Sequence, residues 1–250
     1  MLCLHNRIRV LAVGAHPDDI EIGAGGFIFR VVREQSAEVR FLILTAGLQH
    51  LGPRRTYRRT TRVSEAEAAA RHLGIGAKNV EVLGYRDCRL HQCKHELIRE
   101  LERRLFDAKG RPRFDVILTH ARGDTHEDHV QIHEATISAA RNFDGTVLFY
   151  EAPSTMPDQF RPTFFVNLDD EAVAHKQRAL AAHKSQQDKS YMSQTRTEGI
   201  ARSWAWFYRI PESLLEAFEV GRFFWNSVPT GTKKRLSMKQ VRKRGFGDNP

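Results

Sequence analysis

Cysteine is scarce in this chain, and so is any long apolar stretch. Three cysteines in 250 residues, Cys3, Cys88 and Cys93, cannot build the disulfide framework of a small secreted fold. No run approaches the ~18 apolar residues of a membrane helix. The stretch Val10 to Ala15 is too short for a secretory leader and runs straight into His16-Pro17-Asp18-Asp19. These absences lead to the expectation of a cytoplasmic protein with no segment inserted in a membrane. Internal repeats and Gly/Ser- or Pro-rich linkers are missing as well, so one domain is expected rather than several.

An acidic counterweight is missing at the C-terminus. Lys and Arg number 39 against 30 Asp and Glu, a formal charge of +9. Residues 233–250 hold seven basic side chains against Asp248 alone, which is six of the nine charges and leaves three for the rest. A body so nearly balanced lacks the basic footprint of a nucleic-acid binder, and no nucleic acid is expected as a partner. The expected division is one domain over residues 1–230 and a basic, solvated tail over 231–250. At 41% hydrophobic and 28% charged, the composition suits an ordinary soluble domain able to bury a core.

The pattern along the chain alternates strand and helix. Apolar, β-branched runs over 7–15, 38–45, 80–83, 115–119, 146–151 and 164–168 read as strands. Helical periodicity fills 21–35, 62–73, 94–108, 128–142 and 171–183 between them. Short buried strands joined by helices predict an α/β fold, a Rossmann-like three-layer sandwich with a mostly parallel sheet. In such sheets ligands bind beyond the carboxyl ends of the strands. A nucleotide site is not expected there, because Gly23-Ala24-Gly25-Gly26 lacks the G-x-G-x-x-G spacing.

Chemistry gathers at two of those strand ends. His16-Pro17-Asp18-Asp19 follows the first strand. An imidazole and a carboxylate in one tight turn suit a borderline metal such as zinc, and a second adjacent carboxylate is free to move protons. Read alone, the same aspartates would merely cap the next helix. Gly123-Asp124-Thr125-His126-Glu127-Asp128-His129 follows the strand ending at Thr119-His120, with His133 one turn on. Asp124 or Thr125 is expected to cap that helix, and His126, His129 and His133 to share one face. By spacing alone His133 competes with His129 as a ligand. Two such clusters at the strand ends of one sheet can converge on one ion.

With Arg62-x-x-Glu65, Leu83-Gly84-Tyr85-Arg86-Asp87, Glu151-Ala152-Pro153-Ser154 and His183-x-Ser185-Gln186, these motifs resemble the PIG-L/LmbE family of zinc-dependent N-acetylglucosaminyl deacetylases. The likeness spans about residues 7–220. It implies Zn2+ held by His16, Asp19 and His129, with Asp18 as general base and His126 polarising the amide carbonyl. It implies Arg62 and Asp87 as contacts to sugar hydroxyls, and leaves room for a homo-oligomer. Three protein ligands leave zinc the open position that hydrolysis requires, and Asp128 can orient a histidine from behind. Some relatives carry a tyrosine two residues before the first histidine of the second motif; Asp124 stands there in this chain.

The expected activity is metal-dependent removal of an N-acyl group, an acetyl in the leading case, from an amino sugar or its glycoside. A zinc amidase on a non-sugar amide and a catalytically silent sugar-binding module are the other readings. Cys88-x-x-His91-x-Cys93-x-His95 matches no usual zinc spacing and reads as a loop. Arg54, Arg55, Arg58, Arg59 and Arg62 read as a solvated loop or as a rim for an anionic substrate. His120 has an ordinary reading, and His183 borders the pocket at most. The tail has few apolar residues to bury. A chain ending at Gly231 should therefore keep its turnover on a small soluble substrate, and a collapse of turnover would mean that the tail folds back onto the site or builds an oligomer interface.

Overall fold

In the computed structural model, residues 7–48 and 57–223 are described. The tail at 231–250, Arg54, Arg55 and Cys3 lie outside them. Seven strands, β1 (Arg9–Gly14), β2 (Glu38–Thr45), β3 (Val80–Tyr85), β4 (Val116–His120), β5 (Thr146–Tyr150), β6 (Phe164–Leu168) and β7 (Leu214–Arg222), form one sheet in the order β3-β2-β1-β4-β5-β7-β6. The first five in that order run parallel, and β7 lies antiparallel to both β5 and β6. The helices are α1 (Asp19–Gln35), α2 (Arg59–His72), α3 (Lys94–Leu105), α4 (Glu127–Ala139), α5 (Asp170–Ala182) and α6 (Gln194–Phe207).

The two-residue period of a strand sends its side chains to opposite faces. In β1, Val10 and Ala12 join one core with Ile20, Ile28, Phe41 and Ile43, while Leu11 and Val13 join the other with Leu42, Leu97, Leu101 and Ile132. Helices α1, α2 and α5 pack together over the first face, and α3 and α4 over the second. Because both faces are covered, the central strands read as unbroken apolar runs, and the three-layer expectation is met.

Strand β1 feeds β2 on one side, and β4 sits on its other side. The order thus reverses between β1 and β4, the crevice where open α/β sheets bind ligands. The turn after β1 and the turn after β4 both open into it.

The alternation read from the sequence stops at residue 183, and the structure adds α6 and β7. Glu216 and Glu219 interrupt the apolar pattern of Leu214–Arg222, and α6 is polar with Gly199 inside it. Neither element advertises itself by periodicity. Close approach explains one glycine of α1: a Cβ at Gly23 would sit 2.3 Å from the Tyr150 ring and 2.8 Å from the Glu151 carbonyl oxygen. Gly23→Ala should lower stability by about 1–3 kcal/mol, the usual cost of overpacking, measured as a shift in the urea midpoint.

Candidate metal and acid-base site

The first side of the site is a strained turn. Asp18 precedes α1 with φ 123° and ψ −26°, a backbone region in which a residue with a Cβ is strained by about 1–3 kcal/mol. Arg62, 2% exposed, reaches across from α2. Its Nη2 donates to the Pro17 carbonyl at 2.6 Å and to Asp18 Oδ1 at 3.3 Å, and its Nε to the Ala46 carbonyl at 3.3 Å. At the other end, the Ile22 N–H donates to the Asp18 carbonyl at 3.0 Å. Burial raises the Asp18 carboxyl above its ordinary value, against the opposing pull of Arg62 and His183.

Asp19 sits at the centre. Its Oδ2 accepts from the His16 N–H at 2.7 Å and lies 3.4 Å from His16 Nδ1; its Oδ1 lies 3.4 Å from His129 Nε2. The outer nitrogen of each histidine faces carboxylate. His16 Nε2 is 2.9 Å from Asp87 Oδ1 and 3.3 Å from Asp128 Oδ2, while His129 Nδ1 is 3.1 Å from Asp124 Oδ2. Asp128 is itself held by the N–H groups of Cys88 and Leu90, at 2.7 and 3.3 Å. Burial pulls the His129 imidazole down, but Asp19 and Asp124 outweigh it and lift it to about 9.

His126, expected on the face of α4, is instead its N-cap, in place of the expected Asp124 or Thr125. Its Nδ1 accepts from the Asp128 N–H at 3.2 Å, and its ring stacks on His129 at 4.5 Å and meets His16 edge-on at 4.7 Å. Asp124 serves the same loop, accepting from the His126 N–H at 2.7 Å and from Thr155 Oγ1 at 3.0 Å.

A family model described as PIG-L, GlcNAc-PI de-N-acetylase, matches residues 11–140, more than half of the chain. The chain belongs to the PIG-L family. It is 30% identical over 185 residues to the uncharacterized deacetylase YaiS of Escherichia coli (strain K12), covering 72% of this chain and 93% of that one. Two solved structures share its fold. The antimicrobial reagent A40926 pseudoaglycone deacetylase Dbv21 is 19% identical with a TM-score of 0.66, covering 88% of this chain and all of its own. The N,N'-diacetylchitobiose deacetylase from Pyrococcus horikoshii is 23% identical with a TM-score of 0.63, covering 85% and 83%.

Membership in this deacetylase family directs attention to the donor set. Ligand atoms of His16, Asp19 and His129 all lie within 4.8 Å of one another. The outer nitrogens of both histidines lie against carboxylates, which fixes the tautomers and turns His16 Nδ1 and His129 Nε2 toward Asp19. Two imidazole nitrogens and a carboxylate oxygen suit zinc or a similar divalent ion. The residues fit the metal.

Other expectations sort cleanly by position. Asp87 and Arg62 come to the site, but against His16 and against Asp18. His133 does not enter the donor set: its Nδ1 donates to the His120 carbonyl at 2.9 Å, and its ring packs on Phe149. Cys88 groups with Asp87 and Asp128 and not with His91, Cys93 or His95, among the described residues. The arginine run is no uniform solvated loop, since Arg59 donates to the Val82 and Leu83 carbonyls and Arg62 is buried.

His120 is the residue the sequence reading passed over. Fully buried, it stacks on His129 at 4.0 Å and 12°, and its Nε2 lies 3.2 Å from Asp19 Oδ2 and accepts from the Ala15 N–H at 3.1 Å. Burial first, and then His129, lowers it to about 4, so it is neutral near pH 7. Its signal was its place as the last residue of β4, at a carboxyl end. Glu21 and His183, also fully buried, pair at 3.3 Å behind the turn.

Metal analysis checks the donor set. His16→Ala and His129→Ala proteins should each lose a stoichiometric divalent ion that His95→Ala retains, and full occupancy in both would remove the assignment.

Proposed function

We propose that this PIG-L family member is a metal-dependent N-deacetylase that hydrolyses the acetamide of an amino sugar or its glycoside to a free amine and a carboxylate. The observation that carries the reading is the meeting of His16, Asp19 and His129 with Asp18 and His126 on either side. In this proposal His16, Asp19 and His129 hold Zn2+ or a related ion. When bound there, it would supply Lewis-acid polarisation of the amide carbonyl and of the attacking water.

Each protein group then has a proton or an orientation to account for. Asp18 takes a proton from the attacking water and returns it to the leaving nitrogen. Its neighbour Asp19 is committed to the ion, and Arg62 fixes Asp18 Oδ1 from behind. His126 Nδ1 is occupied by the Asp128 N–H, so the ring proton of the neutral imidazole sits on Nε2. From there it donates to the oxygen that becomes negative in the tetrahedral adduct. Asp124 and Asp128 orient His129 and His16. The family resemblance implies sugar contacts by Asp87 and Arg62; buried as they are, they hold His16 and Asp18 in place.

The family's description as a de-N-acetylase of a GlcNAc compound, and the likeness to a diacetylchitobiose deacetylase, favour an amino-sugar substrate. The likeness to a pseudoaglycone deacetylase favours the second reading, an acyl group on an antibiotic. The proposal includes one catalytic domain over residues 1–230 and a cytoplasmic setting. Among the described residues no helix is long and apolar enough to cross a membrane.

Amine release from a panel of N-acetylated amino sugars, glycosides and N-acylated glycopeptide antibiotics tests the reading and separates its two substrate classes. On the substrate that responds, Asp18→Asn should keep its metal and KM and lose about 10²–10⁴-fold in kcat, the usual worth of a positioned acid-base group. A working base must be deprotonated, so wild-type kcat/KM should fall toward acid, and this limb should vanish in the variant. Near-normal turnover in metal-loaded Asp18→Asn protein would move the base role to another carboxylate.

A further inference from the structure

We infer that Lys176 and Glu216 are positioning residues for Asp18; the inference rests on Asp18 being the base of the proposed reaction. Lys176 lies on α5 and Glu216 on β7, 7% and 4% exposed, and their charges meet at 2.7 Å. Neither belongs to the metal and acid-base cluster. Their other contacts are with the backbone of α1. Lys176 Nζ donates to the Ile22 carbonyl at 2.7 Å. Glu216 Oε1 accepts from the Gly26 N–H at 2.8 Å, and Oε2 from the Phe27 N–H at 2.6 Å.

In an unbroken α-helix the Ile22 carbonyl is the natural acceptor of the Gly26 N–H. Here an ammonium serves the carbonyl and a carboxylate serves the N–H. The ion pair therefore grips the second turn of α1 by its backbone, immediately below Asp18 and Asp19. The glycines of this segment make room for it. A Cβ at Gly25 would lie 3.3 Å from Lys176 Cγ, and one at Gly26 would lie 2.6 Å from Leu168 Cδ2 and 3.1 Å from Glu216 Oε1. This gives Gly23-Ala24-Gly25-Gly26, which fits no nucleotide motif, a physical purpose.

The connection to Asp18 runs through one residue. Ile22 gives its N–H to the Asp18 carbonyl at 3.0 Å and its own carbonyl to Lys176. Asp18 is thus pinned on its upstream side by Arg62 and on its downstream side by the Lys176 anchor. A residue at φ 123° needs such over-determination to persist. Removing the ion pair frees the Ile22 carbonyl and the Gly26 and Phe27 N–H groups from these side chains and lets the turn relax. Misplacement of a reacting group by about 1 Å is worth on the order of 100-fold in rate.

Two double variants test this. Lys176→Met/Glu216→Leu removes both charges together, because stripping one would strand the other in the core. Lys176→Gln/Glu216→Gln keeps a donor for Ile22 and an acceptor for Gly26 without charge. The Met/Leu protein should bind zinc stoichiometrically with unchanged KM, lose about 100-fold in kcat, and show Asp18 outside the left-handed region in its crystal structure. The Gln pair should retain the positive φ at Asp18 and recover at least tenfold of the lost kcat (on the order of one conserved hydrogen bond). If the Met/Leu protein does not fold, Lys176→Met/Glu216→Gln, which strips the donor to Ile22 and keeps an acceptor for Gly26, carries the same expectation. An unmoved Asp18 in the Met/Leu protein overturns the inference whatever its activity, and so does zinc lost in step with kcat. Wild-type protein inactive on the whole substrate panel would instead sink the deacetylase reading, with the Asp18 geometry of the variants still deciding the positioning role.

Discussion

Everything at this site is arranged around one buried carboxylate. Asp19 is 5% exposed, and desolvation alone would push its proton affinity up. The imidazoles of His129 and His16 outweigh that cost and hold it well below the usual carboxylate range. A buried anion so surrounded is expensive unless its partners are fixed. The fold meets that requirement from two strands at once, since His16 and Asp19 follow β1 while His120 ends β4 and His129 stands on α4. The parallel pairing of β1 with β4 is what brings the two turns to the same edge. Without that register the two motifs would be unrelated polar loops.

The parts of this arrangement that the sequence reveals are those encoded locally. Continuous apolar runs mark the central strands because both sheet faces are covered. The HPDD and HEDH segments show themselves because their donor residues fall within four positions of one another and sit where a strand pattern stops. His120 stays hidden because its role comes from stacking on a residue nine positions away and from an aspartate beyond the neighbouring strand. Arg62 and Asp87 are visible as motif residues, yet their partners are not, because contacts across 44 and 71 residues of sequence leave no periodic trace. For β7, the buried Glu216 that disguises the strand is also the residue that grips α1. A polar interruption in an apolar run is ambiguous until its partner is known.

Close approach by buried side chains explains why the helix at the centre of the site is rich in glycine. Helix α1 carries Gly23, Gly25 and Gly26 despite the conformational cost of glycine in a helix. Each buys close approach to something specific: the Tyr150 ring, the Lys176 stem, and Leu168 with Glu216. Helix propensity is given up so that side chains from β5, α5, β6 and β7 can reach the backbone beneath the turn of Asp18 and Asp19.

Two adjacent aspartates with the same intrinsic acidity are driven apart by these surroundings. Asp19 faces the imidazoles of His129 and His16 and is held ionised, which suits the ligand role proposed for it. For Asp18, desolvation dominates and raises the carboxyl, while the Arg62 and His183 charges only partly oppose it. A carboxylate lifted toward neutrality is a better proton acceptor than one depressed by cations. Where environments push neighbouring titratable groups in opposite directions, their roles separate as well. The strained backbone at Asp18 belongs to the same division. It turns one carboxylate toward the guanidinium of Arg62 while its neighbour, one residue later, points into the histidines. An unstrained helix start would carry both acids about 100° apart on one regular spiral, and the spacing of the two carboxylates would then be set by helix geometry rather than by the separate partners that hold each of them.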